Sequence, residues 1–150
     1  AGYCVATYLM GIADRHPGNI MVSREGHFFH IDFGHILGNF KSKYGVKRER
    51  CPFRFAPSMK YVMDEGRFHS KTYQEFQDIC CEAYNQVRAN SNRIVNLFLM
   101  MTSAGLPELQ RPDDISYLSE MLAPEITNAE ASKRFKREID TCLGAVSRQL

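Results

Sequence analysis

Two stretches of this 150-residue chain carry side chains able to act together on a charged, metal-bound substrate: Gly11-Ile12-Ala13-Asp14-Arg15-His16-Pro17-Gly18-Asn19 and His30-Ile31-Asp32-Phe33-Gly34. Asn19 and Asp32 are both oxygen donors. Magnesium is a hard cation that takes one or two protein oxygens and completes its octahedron with waters and substrate phosphates, so an amide paired with a carboxylate is a suitable protein contribution. Asp14 and His16 lie in the loop just before Asn19, where phosphoryl chemistry needs positioning and charge neutralisation. An Asp-Phe-Gly tripeptide alone is a weak signal. The order Asp-Arg-His, two residues, Asn, a β-prone stretch and then Asp-Phe-Gly is far more restrictive, because each part falls where a shared metal ion would require it.

The elements that must position these groups follow from local pattern. Asn19 to Ser23 and Phe28 to Asp32 are β-prone runs joined by Arg24-Glu25-Gly26-His27, which predicts a hairpin bringing Asn19 close to Asp32. Residues 1–9 are apolar enough for the end of a buried helix, with Gly11 as its stop. Ser58 is expected to cap a short helix running through Met63. Tyr73, Phe76, Ile79, Cys80, Tyr84 and Val87 recur at helical spacing, and after Asn90-Ser91-Asn92 so do Ile94, Leu97, Phe98 and Met101, ending at Gly105 and Pro107. Both stripes are expected to be core. A short helix is predicted over Asp113 to Leu118, and Thr127-Asn128-Ala129-Glu130 reads as a capping box opening a final helix over about 128–146. Its Lys133, Arg134, Lys136 and Arg137 are expected to form a solvated face.

Net charge misleads as an average. The chain carries +2 overall, yet residues 41–50 hold five basic groups and one acid, a local +4. Lys41, Lys43, Lys47, Arg48 and Arg50 follow Asp32 closely, and Gly45 permits bends, so the cations are placed to converge beside a transferred phosphate and meet a polyanionic acceptor. Lysine supplies point charges and arginine a forked donor set. Nucleic acid is not the expected partner, because no aromatic stacking platform or repeated basic helix accompanies the patch.

Gly2-Tyr3-Cys4-Val5-Ala6-Thr7-Tyr8, the Asp14-Arg15-His16 loop, His30 to Gly34, Gly45-Val46-Lys47-Arg48-Glu49-Arg50 and Ser103-Ala104-Gly105-Leu106-Pro107-Glu108-Leu109 closely resemble the catalytic domain of class I phosphoinositide 3-kinases, most like the β and δ isoforms. The resemblance runs along nearly the whole chain. It implies an α+β, mostly helical fold: the larger, C-terminal lobe of the protein-kinase-like phosphoinositide 3/4-kinase architecture with a short β-hairpin. The catalytic loop would be about residues 11–19 and the activation loop about 30–56, with the N-lobe, its glycine-rich loop and strand lysine, and the membrane-facing terminal helix outside this sequence. By the same resemblance Asn19 and Asp32 hold Mg2+, Met21 and Ile31 pack against the adenine of ATP, and Lys41 and Arg48 meet the additional phosphates of the headgroup. His35 is a candidate general base for the inositol hydroxyl, with Asp14 orienting it and His16 reaching the γ-phosphate; how the histidines share this labour stays open. Imidazole, titrating near about pH 6.5, suits proton transfer better than a solvated aspartate at about 3.9.

Ala13 stands where the family has glycine, Pro17-Gly18 where it has polar residues, and Cys51 where it has valine. None touches an expected ligand. The Asp-Arg-His-Pro run is also similar to phosphoinositide-kinase-related serine/threonine protein kinases, which gives the alternative reading; a catalytically silent interaction domain is the third. His35 and the +4 stretch favour a lipid substrate, phosphatidylinositol 4,5-bisphosphate, phosphorylated at the inositol 3-hydroxyl. The resemblance further implies a cytoplasmic enzyme recruited to the plasma membrane, with an adaptor subunit carrying phosphotyrosine-binding modules as partner. Composition agrees with one domain: 44% hydrophobic residues suffice for a core, and no apolar run approaches the roughly 18 residues of a membrane span. The odd count of five cysteines, without metal-ligand spacing, predicts reduced thiols and neither zinc nor disulfide.

Overall fold

The structure, a computed structural model, describes residues 1–40, 42–43, 46–47, 51–64 and 70–147. Its first helix, α1 (Gly2–Met10), buries Cys4, Val5, Tyr8 and Leu9, and ends where Gly11 adopts the left-handed conformation at φ 55°. That glycine is obligatory on two counts. A side chain there would be strained at positive φ, and its Cβ would sit 2.5 Å from the Gly38 nitrogen and 2.6 Å from the Tyr117 ring. The expected stop is therefore also the point where the loop after Asp-Phe-Gly crosses α1, with Leu37 donating its amide to the Met10 carbonyl at 2.6 Å.

A 3-10 turn (Pro17–Asn19) leads into β1 (Ile20–Val22), which pairs antiparallel with β2 (Phe28–His30) in the register Ile20↔His30 and Met21↔Phe29. The ribbon is shorter than the β-prone runs. Asn19 belongs to the 3-10 turn and Asp32 lies beyond the strand end, at φ 58°, so neither oxygen donor sits in regular sheet. The connection closes as expected, with Gly26 at φ 84° and the Ser23 hydroxyl accepting the amides of Glu25 and His27. A second ribbon, β3 (Ser42–Lys43) with β4 (Val46–Lys47), lies within the basic stretch.

The remaining helices are α2 (Pro57–Asp64), α3 (Lys71–Arg88), α4 (Ser91–Met101), α5 (Ser116–Leu122) and α6 (Asn128–Ser147), with a 3-10 turn (Pro112–Ile115) before α5. Ser58 does not cap α2. The helix opens one residue earlier at Pro57, whose fixed φ suits the first turn, and the Ala56 carbonyl accepts from Met59 and Lys60. Ser70 instead is a cap, accepting from the Tyr73 amide at 3.1 Å to start α3. The reciprocal capping box opens α6 as expected: Glu130 accepts from the Thr127 amide and the Thr127 hydroxyl accepts from the Glu130 amide.

The core is aromatic. Tyr8 stands edge-on to Phe53, Tyr84 and Phe135, with centroids 6.4, 5.6 and 5.3 Å away, and Phe53 stacks on Phe135 at 5.4 Å. Edge-to-face and offset pairs of this kind add about 0.5–1.5 kcal/mol each beyond burial. Two stripes need correction. Tyr73, Phe76, Cys80 and Tyr84 are buried, but Ile79 is 55% exposed, because Cys80 and Cys81 take the inward positions beside it. In α4 only Ser91 is buried, and Leu97 and Met101 face outward, so this helix covers the core with one partial edge rather than a full stripe. On α6, Arg134 lies over the Tyr8 ring at 5.9 Å and Lys136 pairs with Asp78 at 2.9 Å; both cover α6's neighbours rather than standing free in solvent.

Candidate active site

The centre of the site is a residue to which the sequence reading assigned no task. Arg15 is buried, and a buried guanidinium must spend its donors. Its Nε donates to the Ala13 carbonyl at 2.8 Å, one terminal nitrogen to Ile31 at 2.7 Å and Asn19 at 3.4 Å, and the other to the Asp32 carbonyl, while the plane lies 5.6 Å from the Phe33 ring centroid. One side chain thus clamps the catalytic loop to both sides of the ribbon's open end. The Ile31 amide returns a bond to the Asn19 carbonyl at 3.0 Å. Burial weakens the charged guanidinium, and the carboxylates of Asp32 and then Asp14 oppose that effect. A signal was present in the sequence: an arginine just after apolar Ile12 and Ala13, between two residues assigned to chemistry, has only carbonyls and carboxylates to satisfy it.

Asn19 and Asp32 are neighbours as expected, since their carbonyls share the Arg15 guanidinium. Asn19 is buried, and its Nδ2 donates to the Asp14 carbonyl at 2.9 Å, which fixes the amide and commits the nitrogen, leaving Oδ1 as the atom able to take a cation. Asp32 is exposed, with its Oδ1 3.4 Å from the Gly34 amide. Both aspartates have positive φ, Asp14 at 59° and Asp32 at 58°, a conformation that costs an L-residue energy and clusters at sites where a side chain must be aimed. Among the described residues no three His, Cys, Asp or Glu side chains gather into a metal cage. A fixed amide oxygen and an exposed carboxylate, on segments that Arg15 ties together, fit magnesium bound chiefly by phosphates and water, because that ion needs only one or two protein oxygens.

The histidines divide. His16 is exposed, and its Nδ1 accepts the Gly18 amide at 3.1 Å, so a neutral ring carries its proton on Nε2 and presents a donor outward. His35 is half-buried; its carbonyl accepts the Ala13 amide at 2.9 Å, tying it to the catalytic loop, and its buried Nδ1 has no hydrogen-bond partner among the described residues. His30, never a candidate, stacks on Tyr3 at 4.4 Å, and burial followed by the Arg15 charge lowers its pKa below the usual imidazole value. It is a structural ring that joins α1 to the ribbon.

Met21 and Ile31 share one face of the ribbon with Asn19 and Phe29, since 19↔31 continues the pairing of Met21 with Phe29. They are 44% and 38% exposed, and Phe33 nearby is 50% exposed, so these three side chains leave an apolar patch uncovered on which a planar base could lie. Lys43 and Lys47 fall on paired strands of the second ribbon, whereas Lys41, Arg48 and Arg50 lie outside the described residues.

Residues 1–111 match the family model described as "Phosphatidylinositol 3- and 4-kinase". The chain is 51% identical over 143 residues to phosphatidylinositol 3-kinase 2 of Dictyostelium discoideum, an alignment covering 95% of this chain and 8% of that protein. It is 49% identical over 150 residues to phosphatidylinositol 3-kinase 1 of the same organism, covering 100% of this chain and 9% of that protein. To the human phosphatidylinositol 4-phosphate 3-kinase C2 domain-containing subunit beta it is 44% identical over 150 residues, again all of this chain and 9% of the relative. The chain therefore spans about a tenth or less of the length of these curated relatives. An Asp-Arg-His loop clamped against an Asp-Phe-Gly segment, inside a stretch that the family model covers, leads to one conclusion: this chain belongs to the phosphatidylinositol 3- and 4-kinase family.

Proposed function

We propose that this chain is the catalytic segment of an ATP-dependent lipid kinase that phosphorylates the inositol 3-hydroxyl of phosphatidylinositol 4,5-bisphosphate, with a class I character. The observation that carries the reading is the Arg15 clamp, which holds Asn19 and Asp32 side by side with the carboxylate exposed. The relatives' printed names, phosphatidylinositol 3-kinases, support a lipid acceptor over a serine or threonine hydroxyl.

In this reading Asn19 Oδ1 and Asp32 hold Mg2+, which when bound neutralises charge on the ATP phosphates. Met21 and Ile31 carry the adenine. His16 donates through Nε2–H to the γ-phosphate. His35, its backbone tied to Ala13, accepts the proton of the inositol hydroxyl, and Asp14 orients it. Lys41, Lys43, Lys47, Arg48 and Arg50 receive the headgroup phosphates, and each cation near the surface adds about 1 kcal/mol of attraction to an anionic leaflet. That attraction is consistent with a cytoplasmic enzyme drawn to the plasma membrane, with a phosphotyrosine-reading adaptor as the recruiting partner.

The test offers the full-length kinase phosphatidylinositol 4,5-bisphosphate, phosphatidylinositol 4-phosphate, phosphatidylinositol and a serine-containing peptide in parallel. The bisphosphorylated lipid should be the preferred acceptor, and Lys41→Ala with Arg48→Ala should reduce its use selectively. Preference for the monophosphorylated lipid would refute the class I reading, equal loss on plain phosphatidylinositol would refute the headgroup role, and peptide phosphorylation would move the chain to the protein kinases.

A further inference from the structure

The chain leaving the Asp-Phe-Gly segment turns through residues 35–40 in a conformation that an L residue resists. Leu37 is buried yet sits at φ 54°, and Gly38 follows at φ 78°, so two successive residues take the left-handed region, which strains the leucine. Such a turn persists where its surroundings hold it. Asn39 donates to the Ile36 carbonyl at 3.0 Å and Phe40 to the Gly38 carbonyl at 2.8 Å, and a ring from another element braces the whole. Tyr117 of α5 lies so near that a Cβ built at Gly38 or at Gly11 would stand 2.6 Å from a ring carbon, and Phe40 meets the same ring edge-on at 5.8 Å. The Tyr117 hydroxyl donates to the Tyr8 carbonyl at 3.1 Å, and Leu118 and Leu122 on the same helix are fully buried, so the ring is anchored to α1 and to the core. It also lines cavities of about 240 Å3, with Phe40, and about 610 Å3, with Leu37, Gly38 and Asn39, which give the turn room to move once the ring is gone.

We propose that Tyr117 is a positioning residue for lipid phosphorylation: its ring braces the 35–40 turn and so fixes where His35 stands against the catalytic loop. The role rests on the reading of His35 as the general base for the inositol hydroxyl. The line of contacts is continuous. Tyr117 packs on Gly38, the neighbouring Leu37 amide donates to the Met10 carbonyl at 2.6 Å, and the His35 carbonyl accepts from Ala13, next to Asp14, at 2.9 Å. Asn19 and Asp32 are tied instead through Arg15, so the ring governs the proton transfer and leaves binding of the metal-bound nucleotide alone. A catalytic group displaced by about 1 Å loses on the order of a hundredfold in rate, which is the scale of effect open to a residue that never touches substrate.

The experiment measures kcat and the KM for ATP of the full-length kinase, with the inositol lipid that the wild type phosphorylates fastest, and expresses rates per folded enzyme from circular dichroism. Tyr117→Leu should lower kcat by roughly ten- to a hundredfold, with the KM for ATP within about twofold of wild type. Tyr117→Phe, which keeps the ring, should recover most of that loss. In a His35→Ala background, itself slowed, Tyr117→Leu should cost nothing further, because a residue that acts through the base has no effect once the base is gone. Gly38→Ala presses on the same contact from the turn and should behave alike, which keeps the test open if Tyr117→Leu does not fold. Full additivity of Tyr117→Leu or of Gly38→Ala with His35→Ala, or a Tyr117→Phe rate as low as that of Tyr117→Leu, would overturn the bracing role and leave the base assignment standing. Wild-type kcat in His35→Ala would overturn both.

Discussion

Arg15 shows how one side chain can organise a site without touching substrate. Its four carbonyl acceptors come from the catalytic loop, the 3-10 turn and the segment after β2, so removing it leaves those carbonyls unsatisfied where water is scarce. Arg15→Met should cost about 2–4 kcal/mol, in the range for orphaned buried hydrogen-bonding groups, and lower lipid phosphorylation even where the protein stays folded. Circular dichroism melts beside a lipid kinase assay would check both halves. His30 yields a pH prediction. Its folded pKa lies below the unfolded value of about 6.5, so the unfolded chain binds the extra proton first, and ribbon stability is full above that pH and falls as pH drops toward the lowered folded value. Replacing His30 by Phe, which keeps a ring against Tyr3, should flatten this acid loss. Amide hydrogen exchange of the ribbon, compared at neutral and mildly acidic pH, is the appropriate measurement.

At the scale of elements, glycine and caps decide where chains cross. Gly11 and Gly38 both have positive φ and both abut the Tyr117 ring, which in turn donates to the Tyr8 carbonyl at 3.1 Å. Gly38→Ala would drive a Cβ to within 2.6 Å of that ring, so it should destabilise the loop beyond the roughly 1 kcal/mol expected for positive φ alone, seen as a lowered melting temperature. Thr127→Ala removes the α6 cap and should cost about 1 kcal/mol by the same measurement, with no effect on the substrate preferred. The α6 capping box, the α1 stop and the hairpin turn were legible in the sequence because each is a local bargain between a few consecutive residues. The start of α2 was misread because Pro57 outranks Ser58 as a first-turn residue. The inward face of α3 was misassigned at Ile79, since helical spacing offers two adjacent apolar rows and only packing against α6 and α1 chooses between them.

Taken as a whole, the molecule is a helical body whose aromatic centre supports an irregular, strained edge. Phe135 is fully buried against Tyr8, Phe53 and Tyr84, and Phe135→Ala should cost about 3–5 kcal/mol in a denaturant titration. Arg88 plays the stabilising part on the far side that Arg15 plays at the site, bonding the carbonyls of Leu122, Ala123 and Ile126 and the side chains of Asn85 and Asn128. Motif spacing singled out Asn19 and Asp32 as expected oxygen donors from their chemistry, and Arg15 ties their backbones together. The two clamping arginines escaped that reading because most of their partners are backbone carbonyls, which carry no residue identity. The proposed function requires Asn19 and Asp32 to hold the cation of the nucleotide together. Water-proton relaxation by Mn2+ with a non-hydrolysable ATP analogue, on the full-length kinase, reports that cation directly. The enhancement seen with wild type should be lost in both Asn19→Ala and Asp32→Asn, with metal affinity weakened by roughly a hundredfold or more. Wild-type enhancement in either variant would show that the cation is held elsewhere.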